Sequence, residues 1–389
     1  MKIDIDFARP IFGQEEKDAV NRVMEGHWLA SGKENEAFER EFADYIGVPY
    51  AVLVNSGSSA NLLALSSIEL SPGDKVVTSA CGFPATLSPI LHLGLSPVLV
   101  DYDLETHNID YEQAFYEVHN SGAKAVLFAH TLGVPVIESL KSYAVACGVR
   151  VIEDCCEALG AKLYTEQVGN FDIGTYSFYP SHQITALGGG GMVTCSDEKT
   201  FKRLRSLRDW GKMSNWDSYG QNNTSYSMEV DGVPYFPHYV YETVGYNMKL
   251  PEANAAFGRE QLKRLDGFVA KRKYIHDKIA SEVYKDERLV AHKVPEGAEP
   301  SWFGVVLTLK EGNRDILGNY LESVGIRHRP FFAGNITRHI PFSQYKKDFP
   351  VADFLMKNSL FVGCWPGITD LDIEYMIEHI GYGIHKACK

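Results

Sequence analysis

A chain of 389 residues, 45% hydrophobic and 23% charged, has the composition of a globular protein of two or three domains and can bury a sizeable core without disulfides. Its formal charge of -12, from 38 basic against 50 acidic side chains, excludes a general attraction to nucleic acid or anionic lipid, so an anionic ligand has to be held by a few local donors. The segment at Met1 lacks a basic start and no stretch approaches the ~18 apolar residues of a membrane span, which reads as a soluble, cytoplasmic chain.

In chain order, residues 1–250 alternate short apolar runs with amphipathic stretches, the pattern of an α/β domain with a mostly parallel sheet. Strands are expected at Tyr50–Asn55, Lys75–Ser79, Pro97–Val100, Lys124–Ala129, Arg150–Asp154, Gly174–Tyr179 and Gly191–Cys195. Helices are expected at Asn35–Ile46, where Phe38, Phe42 and Ile46 recur every fourth residue, and at Ser58–Ile68 and Lys199–Asp209. The polar stretch Lys212–Tyr239 lacks periodicity and reads as a long loop. From Pro251 the pattern changes to one long helix through Ala255, Leu262 and Val269, a strand at Trp302–Leu309 and two more helical segments, a smaller α+β domain over residues 251–389.

Three segments carry chemistry. Asn55-Ser56-Gly57-Ser58-Ser59-Ala60-Asn61 follows a strand and opens a helix, so its N–H groups and the helix dipole can cradle a phosphate; the same residues also make ordinary strand-to-helix turns. Val151-Ile152-Glu153-Asp154 ends in a carboxylate at the crevice where open α/β sheets bind ligands, able to hold a proton on a pyridine nitrogen or to serve as a turn acid. Ser177-Phe178-Tyr179-Pro180-Ser181-His182-Gln183-Ile184-Thr185 leads into the glycine run Gly188–Gly191. The seven cysteines form no CxxC pair and read as reduced thiols, with no metal site.

In this order the three segments resemble the sugar aminotransferase branch (DegT/DnrJ/EryC1) of the aspartate aminotransferase fold, the type I fold of pyridoxal-phosphate (PLP) enzymes. The resemblance extends through Phe38–Ala43, Gly245-Tyr246-Asn247-Met248-Lys249, Ser301–Gly304 and Phe332–Asn335. That family has a cofactor-bonding lysine five residues after the serine, where this chain has His182. The Phe-Tyr-Pro-x-His-x-Ile-Thr string resembles the nucleotide-linked 4-keto-6-deoxysugar 3-dehydratases, both the colitose-pathway type acting on a GDP-sugar and the iron–sulphur type acting on a CDP-sugar.

The resemblance implies a noncovalent PLP or pyridoxamine phosphate (PMP), with His182 as catalytic base. It implies Gly57 and Ser58 at the cofactor phosphate, Phe83 stacked on the ring, Asp154 at the pyridine nitrogen and Ser177 supporting the phosphate or ring hydroxyl. Asn247 would reach the phosphate of a neighbouring subunit, which implies a homodimer with shared sites. Arg329 would meet the carboxylate of an amino donor such as L-glutamate, or the sugar nucleotide. Trp28 and Ser31, in His27-Trp28-Leu29-Ala30-Ser31-Gly32, are candidates to line the sugar site, with plain packing the alternative for the aromatic.

Two departures stand out. Arg208-Asp209-Trp210-Gly211 leads into Lys212-Met213-Ser214-Asn215-Trp216 without a cysteine, where the iron–sulphur type carries its cluster ligands, and Gly188 replaces a common glutamate. The expected reaction is loss of the C3 hydroxyl from a nucleotide-linked 4-keto-6-deoxy sugar. The rival expectations are an aminotransferase using Lys212 or Lys249, and a non-catalytic cofactor-binding homologue.

Overall fold

The computed structural model describes residues 4–213 and 228–389. Seven short strands form the central sheet: β1 (Tyr50–Val54), β2 (Lys75–Ser79), β3 (Ser96–Val100), β4 (Ala125–Ala129), β5 (Arg150–Asp154), β6 (Ile173–Ser177) and β7 (Gly191–Cys195). Their spatial order is β1-β7-β6-β5-β4-β2-β3, and only β7 runs antiparallel to its neighbours. Helices cover both faces, so strand residues such as Val52, Leu127, Ile152 and Ile173 are fully buried, as apolar strands of parallel sheets require.

The helices of this layer are α1 (Gln14–Glu25), α2 (Lys33–Ile46), α3 (Gly57–Ser67), α4 (Pro84–His92), α5 (Tyr111–Asn120), α6 (Glu138–Ala146) and α7 (Glu198–Arg208). Strand β6 ends at Ser177, two residues earlier than expected. Ser177 is the last residue paired with β7, and Pro180, which restricts the residue before it and lacks an N–H, then turns the chain away.

The single long helix expected after Pro251 is two helices, α8 (Glu252–Lys263) and α9 (Leu265–Val283), parted at Arg264. The break leaves Leu262, Leu265 and Phe268 in the core with Phe38 and Phe42 while turning Ile275 and Ile279 onto a second sheet. That sheet comprises β8 (Gly304–Thr308), β9 (His328–Pro330) and β10 (Ser359–Gly363) in the order β8-β10-β9, all antiparallel. Three helices follow β8 instead of two: α10 (Arg314–Ser323), α11 (Pro350–Asn358) and α12 (Asp370–Ala387).

The stretch expected as one loop at Lys212–Tyr239 contains a hairpin of Met228–Val230 with Val233–Tyr235, arms too short to print a period on the sequence; residues 214–227 lie outside the described residues. No helix among the described residues is long and apolar enough to cross a membrane.

Two contacts bring the second sheet to the mouth of the first. Ser301 and Phe303 donate their N–H groups to the carbonyls of Gly133 and Leu132 beyond β4, at 3.0 Å each. The N-terminal segment pairs Ile5 with Ile326 and packs Phe7 edge-on against Phe303 and Phe361.

The start of α2 has no side-chain cap of its own, because Gly32 occupies that place. Buried Glu252, from the first turn of α8, supplies it: Oε1 accepts from the N–H groups of Gly32 (2.7 Å) and Asn35 (2.9 Å), and Oε2 from Glu34 (2.9 Å). A carboxylate also complements the helix dipole there. Glu252→Ala leaves three N–H groups without their acceptor and is expected to lower unfolding stability by about 2–3 kcal/mol in denaturant titrations. A loss within the scatter of surface substitutions would contradict this account of the α2 start.

Candidate active site

A cavity of about 620 Å³ opens at the carboxyl ends of β4, β5 and β6, beneath the second sheet. Among the sequence-derived candidates, Gly57, Ser58, Phe83, Asp154, Ser177, His182 and Arg329 line it. Trp28, Ser31 and Asn247 do not line the cavity of their own chain. Ser31 Oγ bonds the Leu250 carbonyl at 3.2 Å and Trp28 Nε1 the Ser31 carbonyl at 3.2 Å, so these two lie beside the segment that carries the exposed Asn247.

The cradle at α3 follows from its sequence. Ser56 caps the helix by accepting from the Ser59 N–H at 3.1 Å, which leaves the N–H groups of the first turn facing the cavity. Gly57 has no room for a side chain: a Cβ would stand 2.7 Å from Ser177 Cβ and 2.9 Å from Cys156 Sγ. The exit from the His182 turn is equally constrained. Gly188 adopts φ of 93°, in the left-handed region, where a glutamate would be strained.

Asp154 stands buried at the end of β5. Its Oδ2 accepts from Asn61 Nδ2 (2.8 Å) and Thr86 Oγ1 (2.9 Å), and Oδ1 from the Cys156 N–H (3.2 Å). Thr175 Oγ1 holds the Asn61 amide through Oδ1 at 2.5 Å. On the opposite face of the strand Glu153 meets His130 at 3.0 Å and Lys141 at 3.2 Å. Burial works to raise its carboxyl, but the Lys141 charge and the hydrogen bonds from His130 and Lys141 prevail and draw it to about 2.

His182 lies between Phe303 (centroids 5.3 Å apart) and Tyr179 (6.4 Å). Its Nδ1 is enclosed and unbonded, which leaves Nε2 as the nitrogen available for proton transfer. Burial, followed by the nearby charge of Arg272, holds the imidazole down at about 3, so it is neutral at physiological pH.

Glu157, another cavity-lining group, shifts in the opposite direction. Burial pushes its carboxyl up to about 8, against the Leu132 N–H that it accepts at 2.7 Å, while the Asp154 charge adds to the rise. Near neutrality the cavity therefore holds a neutral base and a protonated acid.

Sequence reasoning missed Glu157, although its place three residues after the strand-end Asp154 was a usable signal. It also assigned no role to Phe7, Phe303 and Phe332, which reach the cavity from distant segments; Ser301–Gly304 and Phe332–Asn335, among the segments of the resemblance, were the usable signal for the last two. No lysine lines the cavity among the described residues. Lys212 and Lys249 gather instead around Asp209, at 3.7 and 2.7 Å, and over the Trp210 ring, at 5.2 and 3.9 Å.

These residues suit a pyridine ring bearing a phosphate. The helix start offers donors to the anion, Asp154 offers a carboxylate to a ring N–H, and Phe83, 59% exposed and without a ring partner among the described residues, offers a stacking face. The fold and cavity are those of the PLP-dependent aminotransferase-like enzymes. More narrowly, the chain belongs to the DegT/DnrJ/EryC1/StrS aminotransferase family, whose model matches residues 10–381.

The lipopolysaccharide biosynthesis protein RfbH of Salmonella typhimurium is 36% identical over 397 residues, covering 95% of this chain and 89% of the relative. The dTDP-4-dehydro-2,6-dideoxy-D-glucose 3-dehydratase of Saccharopolyspora spinosa is 36% identical over 383 residues, covering 92% and 82%. Among solved structures, a histidine-to-asparagine variant of GDP-4-keto-6-deoxymannose-3-dehydratase with bound GDP-perosamine superimposes with a TM-score of 0.87. It is 28% identical, with 97% of this chain and 100% of that one covered. The family is PLP-dependent, and solved neighbours hold PLP or PMP.

Two outcomes follow from this geometry. Gly57→Ala crowds the floor of the cradle and is expected to weaken PLP binding about tenfold or more in a fluorescence titration; an unchanged Kd would refute the cradle. Glu157 has a folded pKa above its ordinary 4.5, so its contribution to stability is complete below about pH 4.5 and is lost as pH rises through about 8. Relative to Glu157→Gln, the wild type should lose stability across that window, as measured by chemical denaturation at a series of pH values.

Proposed function

We propose that this protein is a PLP/PMP-dependent 3-dehydratase that removes the C3 hydroxyl of a nucleotide-linked 4-keto-6-deoxy sugar, giving a 4-keto-3,6-dideoxy sugar. The observation that carries this reading is the cavity lining, which contains no lysine among the described residues but does contain His182, the residue that the sequence resemblance aligns with the family's lysine. An imidazole cannot bond covalently to the cofactor aldehyde, so the cofactor is held noncovalently by Gly57, Ser58, Ser177, Asp154 and Phe83.

When bound, the cofactor supplies an amine for the C4 carbonyl of the sugar and a ring that accepts an electron pair. Asp154 keeps a proton on the ring nitrogen. Neutral His182 takes a proton at Nε2 from the reacting centre and returns one to the C3 hydroxyl, which leaves as water; the two electrons that put hydrogen in its place come from L-glutamate, which ends as 2-oxoglutarate with its nitrogen released as ammonia. Arg329, a guanidinium at the cavity with no carboxylate partner among the described residues, receives the carboxylate of L-glutamate as amino donor, or the sugar nucleotide.

Trp28, Ser31 and Asn247 lie outside their own chain's cavity, which suits a homodimer in which they serve the neighbouring site. The sequence has no cysteine between Cys195 and Cys364, which supports chemistry without an iron–sulphur cluster. The relatives named 3-dehydratases support the reaction type; their names point to GDP and dTDP, and the sequence resemblance adds CDP, as nucleotides to test.

An aminotransferase reading would need Lys212 or Lys249, both of which are engaged with Asp209 and Trp210. Purified protein given glutamate and 4-keto-6-deoxy nucleotide sugars should yield, by mass spectrometry, a product lacking one hydroxyl. A product with every hydroxyl retained, or a pyridoxyl-lysine after borohydride reduction, sinks the proposal. His182→Asn should lower turnover by about 10²- to 10⁴-fold while PLP binding persists.

A further inference from the structure

Arg272, on α9, is a buried cation without an anion. Its side chain is 2% exposed, and among the described residues no carboxylate comes within ion-pair distance. The guanidinium donates through Nη2 to the His182 carbonyl at 2.9 Å and through Nη1 to the Trp302 carbonyl at 3.3 Å, and its Nε has no partner. The Cys364 thiol beside it donates to the Trp302 carbonyl at 3.3 Å, and burial raises that thiol to about 11, so it offers no negative charge at neutral pH.

Burying an unpaired charge is costly, and two carbonyl bonds could be made by neutral donors. The fork geometry of arginine joins the His182 turn to the segment carrying Phe303, which packs on the imidazole, so one group fixes both.

We infer that Arg272 is a positioning residue for His182, fixing the turn that carries the imidazole and keeping that ring in its neutral, proton-accepting form. This rests on the assignment of His182 as the base. Other charged or titratable groups face the imidazole: Glu157, Asp154, Cys156 and Arg329 across the cavity, Tyr179 from its own turn and Arg9 from the N-terminal segment behind it. Of these, Glu157 is protonated near neutrality and Asp154 is engaged by three donors, so neither holds a proton on His182. Positive charge from Arg272 disfavours a second proton on the ring. A proton gained in the reaction is therefore held weakly and passes readily to a leaving hydroxyl.

The test uses PMP-loaded protein with ¹⁵N-labelled histidine, the His182 signal being assigned by its loss in His182→Asn. In the wild type the imidazole should titrate below the ordinary ~6.5. In Arg272→Met its midpoint should rise by about 1 unit, and the acid limb of kcat/KM should move up with it. Arg272→Lys, which restores the charge, should return the midpoint towards the wild-type value with PMP affinity unchanged. An ordinary wild-type titration overturns the inference, as does a midpoint indifferent to Arg272→Met; if that variant fails to fold, the wild-type and Arg272→Lys titrations decide. Full dehydration by His182→Asn would instead overturn the base assignment and leave the measured influence of Arg272 on the ring intact.

Discussion

The site is assembled around one buried carboxylate. Asp154 is buried at the end of a central strand, and its oxygens recruit donors from the neighbouring elements: Asn61 from the helix that forms the phosphate cradle, Thr86 from the helix that follows Phe83, and the N–H of Cys156. Thr175 extends the network by holding Asn61 from β6, the strand that leads into Ser177 and His182. Satisfying that acid therefore fixes the relative positions of the cradle, the aromatic face and the His182 turn. This is why candidates scattered from Gly57 to His182 meet in one cavity.

Burial then gives the two proton-handling groups opposite characters. It removes charge from whichever form carries it, so an imidazole is driven to its base and a carboxyl to its acid. His182 and Glu157 shift by that common cause to about 3 and about 8. In the proposed reaction His182 begins ready to accept a proton, while Glu157, neutral by the same cause, adds no charge to the cavity.

Local pattern made the first half of the chain legible. Five-residue apolar runs bounded by turns give strands wherever they are buried on both faces, and β2, β5 and β7 begin and end where the sequence indicates. The break at Arg264 was not legible, because no Gly or Pro marks it; it leaves Leu265 and Phe268 of α9 in the core that α8 shares while Ile275 and Ile279 reach the second sheet. At the site, Asp154 and Gly57 have local signatures, whereas Arg272 and the phenylalanine wall act through contacts across long stretches of chain. The place of Trp28 and Ser31 likewise depends on the fold: a single chain brings them beside Leu250 and the segment of Asn247, outside its own cavity.

Gly188 gains a different meaning from its geometry. As a missing acid it weakened the family likeness, yet the chain turns there at φ of 93° and a Cβ would meet nothing within 4 Å. Space would permit glutamate; backbone strain disfavours it. The turn closes with Gly190 donating to the Asn55 carbonyl at 3.1 Å, which ties the exit from His182 to the strand that feeds the phosphate cradle. What this chain gives up in a side chain it retains as a tight connection between the base and the anion site. A glycine suits that connection because its demand is conformational and not chemical.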